Sequence, residues 1–521
     1  MDSTFLRAHR SLLLASGCLF VVACVISTTT GKRKIELSEL AATSVRVPIK
    51  AHLLDGSVIL FADGATVSES MVTGPGRRFD ALRRVLAPSD GVALDSVIGF
   101  EVYERRVNPF RTLVYSSAAT ALSVIGTAAL LVVLFGSCPT IYGDSAGSQT
   151  LQAESFSYSI APLLAKRDVD RMTIVPDAAG VIRLVVKNEA LETHHLDHME
   201  VIEVRHRPNE IVLPSPRGGA LAVSELAASA TVRDGAGRDV SRLVAQTDQS
   251  AFSTDDGLLD RAIAGGSTED YLIITVPRRP GVDSVGLMLR ARSSLLTTSV
   301  LYEHLMGRQG ALALDWMADL SRITTLAKLA SWYGGNFGMR VEVQDGTTWR
   351  PVIRLMDFGP TAWRTVGLAV PSTRSVNDSV RIRLVFAADA FRIDQLSIAH
   401  RVRRADQRLI PIARAIDSEN KARADIVTML SRADDREVET HPGDHFSIEF
   451  DAGREAGATR TFFFAGEGYY VEWLRPSWMK KGHAAQPFTP AQVPMREMLR
   501  SWKGGRDSLE SLFFTRRVPV A

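Results

Sequence analysis

The chain has 521 residues, with 45% hydrophobic and 23% charged side chains, enough to bury several cores of ordinary globular composition. Its formal net charge of +3 is small for that length and argues against nucleic acid as a partner. Three cysteines, Cys18, Cys24 and Cys138, two of them inside the first apolar stretch, exclude a disulfide-stapled scaffold.

At the N-terminus Arg7, His9 and Arg10 precede an apolar run over residues 11–24. A basic start followed by about 13 apolar residues, short of a ~30 Å hydrocarbon core, is the pattern of a secretory signal. It closes on Val21-Val22-Ala23-Cys24, which resembles the bacterial lipobox. That resemblance implies a signal/lipobox segment over 1–24, with lipidation of Cys24 as the first mature residue. Cys18, behind Ala15-Ser16-Gly17, is a second match with a shorter apolar run, and an uncleaved anchor helix running through Val25 and Ile26 is the alternative.

Residues 32–111 read as a small β-module. Runs at 45–54 and 57–61 flank Asp55-Gly56, a hairpin dipeptide; Asp63-Gly64 marks a second turn, and 96–103 a further strand. Arg77-Arg78 and Arg83-Arg84 form a basic elbow, read as a solvated face with a lipid-headgroup site as the alternative.

Residues 113–135 carry no charge, and about 23 residues at ~1.5 Å rise each suffice for one crossing, so 112–136 is expected to be a transmembrane helix. Its Ala, Gly, Ser and Thr content suits close helix contacts in lipid. Arg105, Arg106 and Arg111 place the preceding module in the cytoplasm by charge bias, whereas a lipidated Cys24 requires the opposite side.

Beyond the membrane segment, short strand-like runs over 137–298 make a β-rich domain. Apolar residues at three-to-four spacing mark a helical insertion over 299–335, and two-residue alternation over 336–475 predicts a β-sandwich. The tail, 476–521, places Met495, Met498, Leu499 and Trp502 at helical spacing beside Arg496, Arg500 and Lys503, a basic amphipathic segment expected to dock on the protein's own surface, with a membrane or partner contact as the alternative. The expected fold class is mainly β, with sandwich-like modules, a transmembrane helix and a short helical insertion.

Three constellations carry candidate chemistry. Gly143-Asp144-Ser145-Ala146-Gly147 fits G-x-S-x-G, which would make Ser145 a nucleophile if a strand entered it and a helix left it. The residues after it lack an apolar helical face, so a turn at a bilayer exit is the stronger reading. Glu192-Thr193-His194-His195-Leu196-Asp197-His198 gathers three imidazoles, yet on a regular strand His194 and His198 stand about 13 Å apart, too far to share a metal unless a bulge intervenes. Tyr469, Tyr470 and Trp473, with Phe462, Phe463 and Phe464, could stack on sugar rings, although alternating aromatics more often fill a core. No P-loop, dinucleotide fingerprint or zinc spacing occurs, and no cofactor is expected.

Several of these residues also carry a resemblance. Ser137-Cys138-Pro139 with Tyr142, Lys166-Arg167-Asp168, Asn188-Glu189 with Glu192-Thr193, Asp315-Trp316, Ile393-Asp394 and Gly468-Tyr469-Tyr470 resemble a family of uncharacterised bacterial envelope proteins over about residues 40–475. After Tyr142 the chain departs from that pattern, where an aromatic-rich acidic strand gives way to GDSAGSQT. The resemblance implies an envelope location and a β-rich fold, and no activity, cofactor or substrate. The expected role is a membrane-anchored binding or scaffolding component, with the lipid bilayer and an envelope protein or glycan as partners; the alternative is an envelope hydrolase using Ser145.

Overall fold

A computed structural model of the chain describes residues 28–35, 43–45, 49–53, 57–61, 63–68, 70–79, 85–107, 139–145, 148–190, 192–248, 250–312, 323–356, 358–373, 378–434, 436–440, 444–455, 457–472 and 494–515. The expected signal segment with Cys24, the span 112–136, Cys138 and Trp473 lie outside them. Among the described residues no helix is long and apolar enough to cross a membrane. The chain divides into two compact units, residues 1–130 and 131–521, and both are mainly β.

The first unit is one antiparallel sheet of β1 (Thr28–Ile35), β2 (Thr43–Val45), β3 (Ile49–Leu53), β4 (Val58–Phe61), β5 (Ala65–Val67), β6 (Met71–Phe79), β7 (Val85–Ala93) and β8 (Val97–Val107). Strands run in the order β1-β8-β3-β4-β6-β5-β2, with β7 on β6. The expected hairpin forms between β3 and β4, where His52 pairs with Val58. Alternation sends Ile49, Ala51, Leu53, Ile59, Phe61 and Phe100 into a common core. Gly64, at φ +90°, supplies the left-handed turn that Asp63-Gly64 announced.

Among the described residues the second unit holds three antiparallel sheets. Its strands are β9 (Thr140–Ser145), β10 (Ser148–Glu154), β11 (Lys166–Arg171), β12 (Val181–Lys187), β13 (Glu192–His206), β14 (Ile211–Pro214), β15 (Ala220–Leu226), β16 (Thr231–Asp234), β17 (Glu269–Pro277) and β18 (Ser284–Ser293). They continue as β19 (Met339–Asp345), β20 (Thr348–Leu355), β21 (Arg364–Pro371), β22 (Ser379–Ala387), β23 (Phe391–Ala405), β24 (Gln407–Asp417), β25 (Val438–Thr440), β26 (His445–Asp451) and β27 (Thr459–Glu472). The largest sheet runs β10-β9-β12-β26-β24-β13-β27-β11, with β25 on β13; the others run β14-β15-β23-β18-β21 and β16-β17-β22-β19-β20.

Each sheet mixes strands from before residue 298 with strands from after 336. The two β domains expected on either side of the helical insertion are therefore interleaved in one body. The physical reason is long-range pairing: β13 takes β27 as a partner from Glu192↔Glu472 to His206↔Thr459, and neither strand could bury its apolar face alone. Ile202, Val204, Phe463 and Ala465 of that pair pack on Val212, Ala220, Ala222 and Ala405 of the neighbouring sheet. Phe386 at the end of β22 meets Phe391 at the start of β23 edge-on, with centroids 5.7 Å apart, where the other two sheets join.

Helices are few. α1 (Asp256–Ala264) starts where Asp255 accepts from Gly257 N and Leu258 N, and stops at Gly265, whose φ of +127° no side chain tolerates well. α2 (Leu295–Ser299) runs into a π-helical turn, Val300–Met306, and then a 3-10 segment, Gly307–Leu312. α3 (Ile323–Phe337), α4 (Ala424–Leu430) and α5 (Met495–Thr515) follow. In α5 the three-to-four spacing buries Met498, Leu499, Trp502 and Leu509 on one face, against α1 and α2.

Candidate functional site

A concave feature of the second unit is a cavity of about 190 Å³, bordered by the segment from Phe156 to Leu164, the start of β11, α2, the π-helical turn and α3. Its walls are apolar: Phe156, Ile160, Leu164, Val300, Leu301, Leu305, Leu329, Trp332 and Met356. Lys166 and Ala330, both exposed, mark the side open to solvent.

The polar groups around the cavity are turned to the protein itself. Tyr158 Oη donates to Phe358 O at 2.6 Å and lies 2.7 Å from Ser293 Oγ, leaving its ring for the wall beside Tyr333, 5.2 Å away. Burial pushes the Tyr158 phenol up to about 12, so it stays protonated and keeps that donor. Thr297 Oγ1 donates to Ser294 O, Ser159 N to Phe156 O, and Ser159 O accepts from Tyr470 N. With these bonds made internally, the wall offers hydrocarbon and ring faces.

Phe156 is held in an uncommon backbone state. Its φ is +44°, a left-handed conformation that a bulky residue adopts only under constraint. The constraint is Asp168, whose Oδ2 accepts from Phe156 N at 2.7 Å. Asp168 is in turn held by Arg364: Nη2 lies 3.3 Å from its Oδ1 and 3.2 Å from Val169 O, while Nε lies 3.2 Å from Asp170 Oδ1. Glu154, also buried, fixes the opposite approach by accepting from Thr361 N and Ala362 N at 2.7 and 2.8 Å. A Cβ on Gly359 would stand 2.4 Å from that carboxyl carbon, so a side chain there would push Glu154 off its two backbone donors.

The π-helical turn has its own anchor. Tyr302 Oη meets the carboxyls of both Glu192 and Glu472, each 1% exposed, and His194 Nε2 lies 3.2 Å from Glu192 Oε2. Burial, helped by the neighbouring His195, drives the His194 imidazole down to about 3, outweighing Asp444, which would favour the imidazolium. Neither carboxyl nor the imidazole lines the cavity. The cluster therefore positions the turn, which presents Val300, Leu301 and Leu305 to the cavity. Turns of this kind are rare and concentrate at functional sites.

Among the residues singled out from sequence, Ser145 ends β9 and pairs with Ser148 at the start of β10, so a strand leaves GDSAG where a nucleophile elbow needs a helix. A bulge does occur within the histidine run, between Leu196 and His198, and it acts against a shared site. The extra residue resets the alternation. His194 stays with Glu192, whereas His198 joins Glu200 at 3.4 Å, and His195 stacks on Tyr469 at 4.5 Å. Among the described residues no group of three or more His, Cys, Asp or Glu is placed to hold a metal ion. Tyr469 and Tyr470 are 6% and 2% exposed and hydrogen-bonded to Glu437 and to Ser157 O, which makes them interior groups rather than an open platform for a sugar.

Sequence reasoning missed the cavity. Its walls come from segments nearly 200 residues apart, and the local signals, a Trp332-Tyr333 pair on a helix and scattered leucines, are those of any core.

No family model matches the chain, and no curated protein matches it. Among solved structures, the secreted serine protease VesC from Vibrio cholerae aligns at 8% identity over 73% of this chain and 99% of that one, with a TM-score of 0.11, a level of likeness that carries no argument.

Proposed function

We propose that this chain is a membrane-anchored envelope protein whose β-sandwich-like extramembrane body serves as a binding component. The observation that carries the binding role is the apolar cavity of about 190 Å³, with its walls fixed by the Asp168–Arg364 and Tyr302 anchors. The tether rests on the charge-free run at 113–135 and on Cys24 in its lipobox-like quartet. One acyl-type anchor gives reversible attachment and a second signal makes it stable. The bilayer is then the constant partner, and an envelope protein or glycan a further one. The β9–β10 hairpin around Ser145 supports binding over the alternative of an envelope hydrolase.

The test is fractionation of the full-length chain. Retention in membranes after high-salt and alkaline washes is expected; recovery in the aqueous phase without detergent overturns the tether. Substituting Ser145→Ala is expected to leave ester and glycan hydrolysis by the purified chain unchanged from background, and a measurable activity lost in that variant would restore the hydrolase.

A further inference from the structure

The binding reading leaves open what the cavity takes, and we infer that it takes an uncharged molecule built on a single aromatic ring, of about the size of a monosubstituted benzene. The inference rests on that reading and adds the ligand's chemistry to it.

Charge is the first constraint. Asp168 lines the cavity, yet its oxygens are committed to Phe156 N and Arg364, and Lys166 at the mouth is likewise partnered within the protein. An ionic guest of either sign would give up its water and have to displace a partner already in place. Hydrogen bonding is the second constraint. Tyr158 Oη donates to Phe358 O and Thr297 Oγ1 to Ser294 O, so a guest that needs hydrogen bonds inside would lose those it makes to water without replacement. Both constraints leave an apolar, uncharged guest. Volume sets its size: apolar cavities of ~150 Å³ stay dry and admit benzene, so about 190 Å³ holds one ring with a small substituent. The walls then favour a ring over a chain. Phe156, Tyr158, Trp332 and Tyr333 all line the cavity, and Tyr158 and Tyr333 already meet with centroids 5.2 Å apart and planes tilted by 49°. A further ring can join that cluster edge to face, whereas an alkyl chain gains no such contact and loses its rotamer freedom on entry.

Trp332 lines the cavity and reports on its contents, since a bromine on the guest quenches an indole only at contact. The full-length chain is placed in lipid nanodiscs and titrated with bromobenzene, 4-bromobenzoate and 1-bromohexane, with empty nanodiscs correcting for partition into lipid. Quenching is read as the difference between the wild type and Trp332→Phe, which keeps a ring at that wall and removes the reporter. Saturable quenching by bromobenzene is expected. Binding of 4-bromobenzoate should be weaker by about tenfold or more, the carboxylate having to give up its water. Binding of 1-bromohexane should be weaker by about threefold to tenfold, the worth of one ring contact. Ala330→Phe places a bulky side chain in the exposed mouth without touching a buried position and is expected to abolish the quenching. Bromobenzene quenching that Ala330→Phe leaves unchanged puts the guest outside the cavity and overturns the proposal. Binding of 4-bromobenzoate or 1-bromohexane as tight as that of bromobenzene overturns the neutral-ring assignment and leaves the binding role standing. Absence of quenching by all three overturns both.

Discussion

Trp502 donates its indole N–H to Asp389 Oδ2 across 2.7 Å, tying α5 to the turn that joins β22 to β23. Asp389 is fully buried at φ +61°, a conformation that Asp tolerates better than most residues. Its backbone N–H donates to Thr254 Oγ1 at 2.8 Å and its Oδ1 accepts from Arg392 at 2.7 Å. Arg506 reaches both Asp256 and Asp389, and Lys503 pairs with Asp260. The basic face of the tail is thus matched to acidic groups of α1 and of this turn, which is why α5 lies on the body.

Replacing Trp502 by Ala removes a 1% exposed ring and a hydrogen bond to a carboxylate. The expected loss is about 3–5 kcal/mol of docking free energy, as for a buried aromatic truncated to a methyl. Trp502→Phe keeps most of the ring and is expected to lose about 1–2 kcal/mol, the share of the hydrogen bond. Hydrogen exchange over 495–515 should accelerate strongly in the first variant and modestly in the second, with β17 and β22 unchanged. Equal protection in wild type and Trp502→Ala would mean that α5 is held by its salt bridges alone.

His194 makes stability depend on pH. Its imidazole titrates near 3 in the fold and near its ordinary value of about 6.5 when unfolded. The unfolded chain therefore binds the proton first. The stabilising contribution is complete above about pH 6.5 and is lost as the pH falls towards 3. The groups facing His194 are Glu192 on its own strand, His195 and Asp444, with burial the largest influence. Between about pH 6.5 and about pH 5 the expected loss is about 2 kcal/mol, and His194→Gln should flatten that slope in thermal melts. A slope unchanged by the substitution would assign the acid sensitivity to other groups.

How far the sequence could be read follows from the range of each signal. The β3–β4 hairpin was legible because a turn dipeptide between two alternating runs is complete within about a dozen residues. The same holds for α5, whose apolar face is written at helical spacing. The bulge between Leu196 and His198 was not legible, because a bulge belongs to a strand pair and the partner strand, β27, lies far away in sequence. The interleaved sheets and the cavity were hidden for the same reason: Phe156, Leu305 and Trp332 become neighbours only after β13 and β27 have found each other.

Gly468 is expected to tolerate no side chain. It sits in β27 opposite Leu196, just before the bulge, and a Cβ there would stand 2.2 Å from His195 O and 3.1 Å from Phe156 Cζ. The first contact is with backbone, which cannot rotate away. Gly468→Ala should therefore lose at least about 3 kcal/mol by forcing β13 and β27 apart, well beyond the ~1 kcal/mol typical of a substitution. Thermal unfolding checks this, with Gly504→Ala as a control at an open position on α5 that should stabilise by about 0.5–1 kcal/mol.

Arg364 links the fold of β11 to the cavity wall. Removing it as Arg364→Ala leaves Asp168 and Asp170, each 5% exposed, without the guanidinium that lies between them. Breaking a buried pair by deleting one partner is expected to lower stability by about 3–5 kcal/mol. Arg364→Lys should recover only part of this, since one ammonium cannot place separate donors on Asp168, Asp170 and Val169 O together. The two variants also separate stability from site geometry. Asp168 holds Phe156 at positive φ, so in Arg364→Lys the fold should survive while Phe156 relaxes and the cavity loses its shape. A folded variant with a melting temperature between those of the wild type and Arg364→Ala, whose Trp332 emission shifts to longer wavelength, is the expected outcome; a normal emission spectrum would show that Asp168 keeps Phe156 in place without Arg364.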